Sequence, residues 1–137
     1  MLKVISTGKK YSALVPQLKR LGEAALKKLG VKNAYVEIYL IGSKDMKKLN
    51  KTYRGKDKAT NVLAFESDNF FPHPFTRLSP LGEVYLAPDY IQEKKENLGY
   101  MLVHGLLHLL GYDHLEKRDR IKMEKLEKSL CRALSLD

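Results

Sequence analysis

Three of the four histidines in this 137-residue chain fall within one stretch of eleven residues, His104-Gly105-Leu106-Leu107-His108-Leu109-Leu110-Gly111-Tyr112-Asp113-His114. Residues four apart on an α-helix share a face and sit about 6 Å apart along its axis, so His104 and His108 can aim imidazole nitrogens at one metal ion. A pair of this kind also arises where two hydrogen-bonded core histidines share a helix face. The glycine and the third histidine decide for the metal. Gly111, three residues after His108, can take the left-handed conformation that stops a helix and turns the chain, which lets His114 approach the same point from outside. Three imidazoles with a fourth position open to water make the arrangement of catalytic zinc, each Zn–N bond being about 2.0–2.1 Å. The pattern therefore predicts one zinc ion per chain, held by His104, His108 and His114. An apolar helix has no other reason to carry several polar rings that are costly to bury. His73, between Pro72 and Pro74, is given no role.

The spacing equals that of the zinc proteases of the form His-Glu-x-x-His-x-x-Gly-x-x-His, with Gly105 at the glutamate position. That glutamate is the general base of those proteases, so peptide hydrolysis by the same route lacks its base here. Arg54 is the second candidate for chemistry. It belongs to a basic segment with Lys51, Lys56 and Lys58, and a guanidinium can grip phosphate oxygens with two hydrogen bonds. Taken alone it reads first as a solvated loop charge. Asp113 can orient a histidine ligand or shape the turn with Tyr112, and Asp57 and Glu66 are weaker candidates for moving a proton. Tyr53 and Phe65 could stack nucleobases, but core packing is the role expected of both.

The elements that must position these residues alternate between strand-like and helix-like patterns, which points to an α+β chain with a small mixed sheet of about four strands packed by helices. Strands are predicted over Leu2 to Thr7, Ala34 to Ile41, Asn61 to Phe65 and Gly82 to Ala87. A helix is predicted from Pro16 to Leu29, with Leu18, Leu21, Ala25, Leu26 and Leu29 on its apolar face and Gly30 as its stop. Ser43 is placed to cap a second helix running to about Tyr53. Pro88 opens a third, reaching about Asn97, and Leu98 to Leu110 forms the histidine helix. The tail from Glu116 to Leu134 is a last helix, with Ile121, Met123, Leu126, Leu130 and Leu134 facing inward, expected to cover the core rather than hold chemistry. A segment rich in Phe, Pro, Ser and Asp between the last two strands reads as a long surface loop.

Length and the absence of repeats or linkers fit one domain over residues 1–137. The lone cysteine, Cys131, excludes an internal disulfide and reads as a buried hydrophobe. No window reaches the roughly 18 apolar residues of a membrane span, and no signal-peptide pattern opens the chain, so a soluble cytoplasmic protein is expected. The formal net charge of +9 would draw polyanions, though charge alone does not separate nucleic acid from an anionic membrane or from a merely solvated lysine-rich surface.

The histidine run resembles the signature of the YbeY family of bacterial single-strand-specific endoribonucleases. The likeness extends to Asn50 and the block Tyr53-Arg54-Gly55-Lys56-Asp57-Lys58-Ala59-Thr60-Asn61-Val62-Leu63-Ala64-Phe65, to Leu81-Gly82-Glu83, and to Met123-Glu124 with Leu126-Glu127 in the last helix. Two positions depart from the usual family block, Asn61 for Asp and Ala64 for Ser. The resemblance implies an α+β fold, zinc on the three histidines, single-stranded RNA or ribosomal subunits as partner, and maturation of ribosomal RNA at the small-subunit 3′ end with a part in ribosome quality control. It also matches Arg54 to the family's important arginine and His104 to a histidine used in both metal binding and activity, which turns the reading of Arg54 toward phosphate. The rival readings are a metal-dependent peptidase or amidase, and a ribosome-associated RNA-binding protein with a structural metal.

Overall fold

The computed structural model describes residues 1–67, 79–112 and 117–134. It is an α+β arrangement of one four-stranded mixed sheet and five α-helices, β1 (Leu2–Ser6), α1 (Val15–Lys28), β2 (Ala34–Leu40), α2 (Ser43–Arg54), β3 (Val62–Glu66), β4 (Ser79–Leu86), α3 (Pro88–Glu93), α4 (Leu98–Leu109) and α5 (Lys117–Ala133). Strand order is β1-β2-β4-β3. The first three run parallel, with Val4 opposite Ile38 and Ile38 opposite Val84, and β3 closes the edge antiparallel to β4, with Ala64 opposite Val84.

Strict alternation in β2 divides the sheet into two unlike faces. Val36, Ile38 and Leu40 are fully buried, and with Val84 and Leu86 they meet Leu18, Ala25 and Leu26 of α1 and Leu102, Val103 and Leu106 of α4. On the opposite face Tyr39, Leu63, Phe65 and Tyr85 pack with Met46 and Leu49 of α2. Thus α4 and α2 lie on opposite sides of the sheet. The edge strand β3 serves both, sending Val62 and Ala64 one way and Leu63 and Phe65 the other.

Four local expectations need correction. Strand β4 begins at Ser79, three residues before Gly82, because Pro80 and Gly82 are absorbed by a bulge where Tyr35 pairs Pro80 and Val36 pairs Gly82, leaving Leu81 as the extra residue. Ser43 does not cap α2; Gly42 occupies that position, without a side-chain hydrogen bond. The helix opened by Pro88 stops at Glu93, with Lys95 left-handed at φ 57°. Asn97 then starts α4 anew, its side-chain oxygen accepting from Tyr100 N at 2.9 Å. Ile121, expected inward, is 44% exposed, whereas Met123 and Leu130 are buried. Cys131 is buried as expected, and burial followed by the nearby Glu127 pushes its thiol up to about 11, so it stays protonated. Among the described residues no helix is long and apolar enough to cross a membrane.

Gly82 is the tightest point in the sheet. Its φ is +141°, and a Cβ there would lie 2.1 Å from Phe65 O and 2.9 Å from Leu109 Cδ2. Gly82→Ala therefore combines a strained backbone with overpacking against a carbonyl that cannot step aside, which should cost about 2–5 kcal/mol and lower the melting temperature by roughly 10 °C or more. A calorimetric scan showing parent stability would contradict this account of the bulge.

Candidate metal centre

The apolar rows of α4 determine where its histidines go. Leu102, Val103, Leu106, Leu107 and Leu109 are buried in the core, which leaves Tyr100, His104 and His108 as a stripe of residues four apart and half buried. The two imidazoles meet at Nε2, 3.2 Å apart, with ring centroids at 4.8 Å and planes at 71°. Two nitrogens bound to one tetrahedral zinc at the usual bond length would be separated by about 3.3 Å. The separation of the pair thus matches that of two ligands on a single ion.

The other nitrogen of His104 is held from a different helix. Nδ1 hydrogen-bonds Oε1 of Glu127 on α5, and because a carboxylate only accepts, this contact favours a proton on Nδ1 and leaves Nε2 on the side of His108. Glu127 is only 4% exposed. The Tyr100 hydroxyl donates to the same carboxylate. Burial first, then that hydrogen bond and the charge behind it, push the Tyr100 phenol up to about 12, so it remains a donor at neutral pH. Glu127 is the site residue that sequence reasoning missed. The last helix was expected only to cover the core, yet it supplies the group that orients a candidate ligand. The signal available was a glutamate four residues after Met123 and three before Leu130, on the buried row of an otherwise ordinary amphipathic helix.

After His108 the helix ends as its glycine predicts. Gly111 has φ +93°, its N–H bonds His108 O, and Tyr112 N–H reaches back to Leu107 O. This is the paired bonding of a glycine-terminated helix, and it turns the chain at the expected place. His114 and Asp113, like His73, lie outside the described residues. Among those described, no third histidine, cysteine or carboxylate completes a ligand group around the pair.

Gly105 has a packing reason that the motif comparison alone does not reveal. A Cβ at this position would stand 2.7 Å from Val84 Cγ1 and 3.2 Å from Val62 Cγ2. The helix backbone rests on the side chains of β3 and β4, so a glutamate at this position would start out against Val84 and Val62.

Arg54 closes α2, followed by Gly55 in the left-handed conformation at φ 71°. It is exposed, as are Lys51, Lys56 and Lys58, and no carboxylate among the described residues pairs with it. The basic turn is nonetheless ordered. Asn50, 2% exposed, donates from Nδ2 to Lys58 O at 2.8 Å. The turn ends at Asn61, whose amide nitrogen lies 3.2 Å from Met101 Sδ on α4 and 3.3 Å from both Glu96 carboxylate oxygens. An aspartate there would face Glu96 with like charge. The structure does not bring Arg54 against the histidine pair: the two stand on helices on opposite sides of the sheet, linked around the edge strand. Asp57 is exposed and 4.0 Å from Lys47, and Glu66 is exposed at the end of β3.

A cavity of about 550 Å³ opens on the α2 face, walled by Tyr35, Glu37, Tyr53, Phe65, Glu83 and Tyr85. Tyr53 was expected in the core but is 65% exposed, because the inward row of α2 runs out over the cavity mouth; its ring stands 5.2 Å from Phe65. Tyr39 and Tyr85 stack at 4.8 Å, and their hydroxyls donate to Glu37 and Glu83 at 3.0 and 2.6 Å. Burial and those carboxylates push Tyr39 up to about 12 and raise Tyr85 further. The cavity is negatively lined and faces away from the histidines.

The sequence model described as endoribonuclease YbeY matches residues 5–135. The chain is 34% identical to endoribonuclease YbeY of Aquifex aeolicus, over 93% of this chain and 88% of the relative, and 31% identical to that of Bacillus subtilis, over 97% and 94%. A Thermotoga maritima protein whose structure was determined in solution superimposes with a TM-score of 0.55 at 26% identity, over 98% of this chain and 92% of the other. By its sequence over nearly its whole length, the chain belongs to the YbeY endoribonuclease family.

Proposed function

We propose that this protein is a zinc-dependent endoribonuclease that cuts single-stranded RNA in the cytoplasm, acting on ribosomal RNA or ribosomal subunits in maturation of the small-subunit 3′ end and in ribosome quality control. The observation that carries the metal part is the convergence of two Nε2 atoms at 3.2 Å, with His104 anchored through its other nitrogen. His104, His108 and His114 would hold the ion, which supplies Lewis-acid polarisation of a phosphodiester oxygen and of water. Arg54, ordered at the end of α2 and unpaired among the described residues, stabilises charge growing at phosphorus. Lys51, Lys56 and Lys58 bind the strand on either side. RNA action itself rests on the family, whose relatives are named as endoribonucleases, and the positive charge agrees with it. Peptide hydrolysis is disfavoured by geometry, since Gly105 has no room for the missing base.

Three outcomes test this reading. Elemental analysis should find about one zinc per chain, lost when His104, His108 or His114 becomes alanine, because a two-point site yields to water and buffer; stoichiometric metal in all three variants would end the triad. RNA affinity should fall steeply with salt as lysines and arginines release counterions, and metal-free protein should bind RNA without cutting it. A module with a structural metal would cut in neither form. Arg54→Ala should keep zinc and most affinity but lose roughly a hundredfold in single-turnover cleavage, with Arg54→Lys recovering little of it. Parent-rate cleavage of saturating RNA by Arg54→Ala would make Arg54 one surface cation among many.

A further inference from the structure

Among the described residues only two polar side chains are buried, Asn50 and Glu127. Asn50 is explained by the backbone carbonyl it holds. Glu127 has no such structural account, since its neighbours on α5, Met123, Leu130 and Cys131, belong to the hydrophobic core, where a leucine would pack without the cost of burying a carboxylate. What surrounds the carboxylate is two donors on one stripe of α4, the Tyr100 hydroxyl and His104 Nδ1.

We propose that Glu127 is a positioning residue for the metal, locked by Tyr100, which fixes the His104 ring and its tautomer so that Nε2 is presented to the ion. The inference rests on the reading of His104 as a ligand and adds the group that makes it a good one. Removing either nitrogen's partner has different consequences. Without Glu127 the ring can rotate about its outer bond and exchange its proton between nitrogens, so only a fraction of molecules offers Nε2 beside His108. With Glu127 in place the orientation is set before the metal arrives, and the negative charge makes the coordinating nitrogen more basic. Tyr100 acts one step further out. Its hydroxyl bonds the same carboxylate, which helps hold Glu127 in the rotamer that meets His104.

The alternative is that Glu127 merely pins α5 to α4. Chelator-competition titrations with zinc on the full chain, read beside thermal melting, separate the two. Glu127→Leu leaves the Tyr100 hydroxyl and His104 Nδ1 without their acceptor, so it should melt several degrees lower while still folding, and bind zinc about 10 to 100 times more weakly. Glu127→Gln keeps an oxygen to accept from Nδ1 but loses the charge, and should fall between the two. Tyr100→Phe should weaken zinc a few-fold. Long-range proton–nitrogen NMR on metal-free protein should show the His104 proton on Nδ1 in the parent and shared between both nitrogens in Glu127→Leu. A folded Glu127→Leu with parent zinc affinity and an unchanged tautomer overturns the proposal. If that variant does not fold, Glu127→Gln decides in the same way. His104→Ala is the control for the underlying reading: zinc retained there defeats the ligand assignment itself, whereas zinc lost there but unaffected at Glu127 defeats only this inference.

Discussion

At Gly105 the backbone of α4 lies on the sheet with nothing between, and the rest of the arrangement follows from that contact. Val62 and Val84 fill the space where a side chain would begin. With this residue as the point of closest approach, the leucines to either side of it drop into the core, each side chain contributing about 1.5–3 kcal/mol of burial. The remaining stripe of Tyr100, His104 and His108 is then forced to the side of the helix that α5 covers in part. A larger residue at position 105 would lift the helix and rotate that stripe. The glycine that removes a protease base is thus also the glycine that aims the imidazoles.

The buried polar side chains show how the two halves of the candidate site are held. Asn50 fastens the turn that carries Lys56 and Lys58, immediately after Arg54, and Glu127 fastens His104. Each makes its bonds to a group far along the chain or across a helix interface, and each would be left unsatisfied, at a cost of about 1–3 kcal/mol, if that partner moved. Order at the site is therefore coupled to the fold while His104, His108 and Arg54 themselves stay out of the core.

Much of this was legible in the sequence because it depends on local rules. Strand alternation in β2, the apolar row of α1, the glycine ending α4 and the facial pairing of His104 with His108 all appear where period and conformational preference place them. The failures have a common cause, which is that a distant partner decides the outcome. Pro80 argues against a strand until β2 is seen to tolerate a bulge there. Asn97 reads as the end of the Pro88 helix until the left-handed Lys95 breaks the chain before it. Tyr53 follows the inward row of α2, but the sheet ends before the helix does. Glu127 is one more glutamate on a charged helix until α4 crosses it. Periodicity reports which face of an element is apolar, not what the opposing element will place against it.

The division of the sheet into unlike faces bears on how a polyanion meets this molecule. One face carries Glu37, Glu83 and Glu66 around an aromatic cavity, and no cation among the described residues neutralises Glu37 or Glu83. Their paired positions on parallel strands place like charges side by side, which is unfavourable for the sheet and repels phosphate. A nucleic-acid backbone would therefore be repelled from the cavity floor, whereas Lys51, Arg54, Lys56 and Lys58 at and after the end of α2 are exposed cations that would attract it. A strand reaching from that turn to His104 and His108 would have to pass around β3, the edge strand shared by both faces. A flexible single strand can follow a path that bends over a sheet edge, whereas a duplex is stiff over many times that length. On the proposed reading of Arg54 and the histidines, preference for single-stranded RNA would need no reading of bases: it would follow from setting that turn and the histidine pair on opposite sides of one edge.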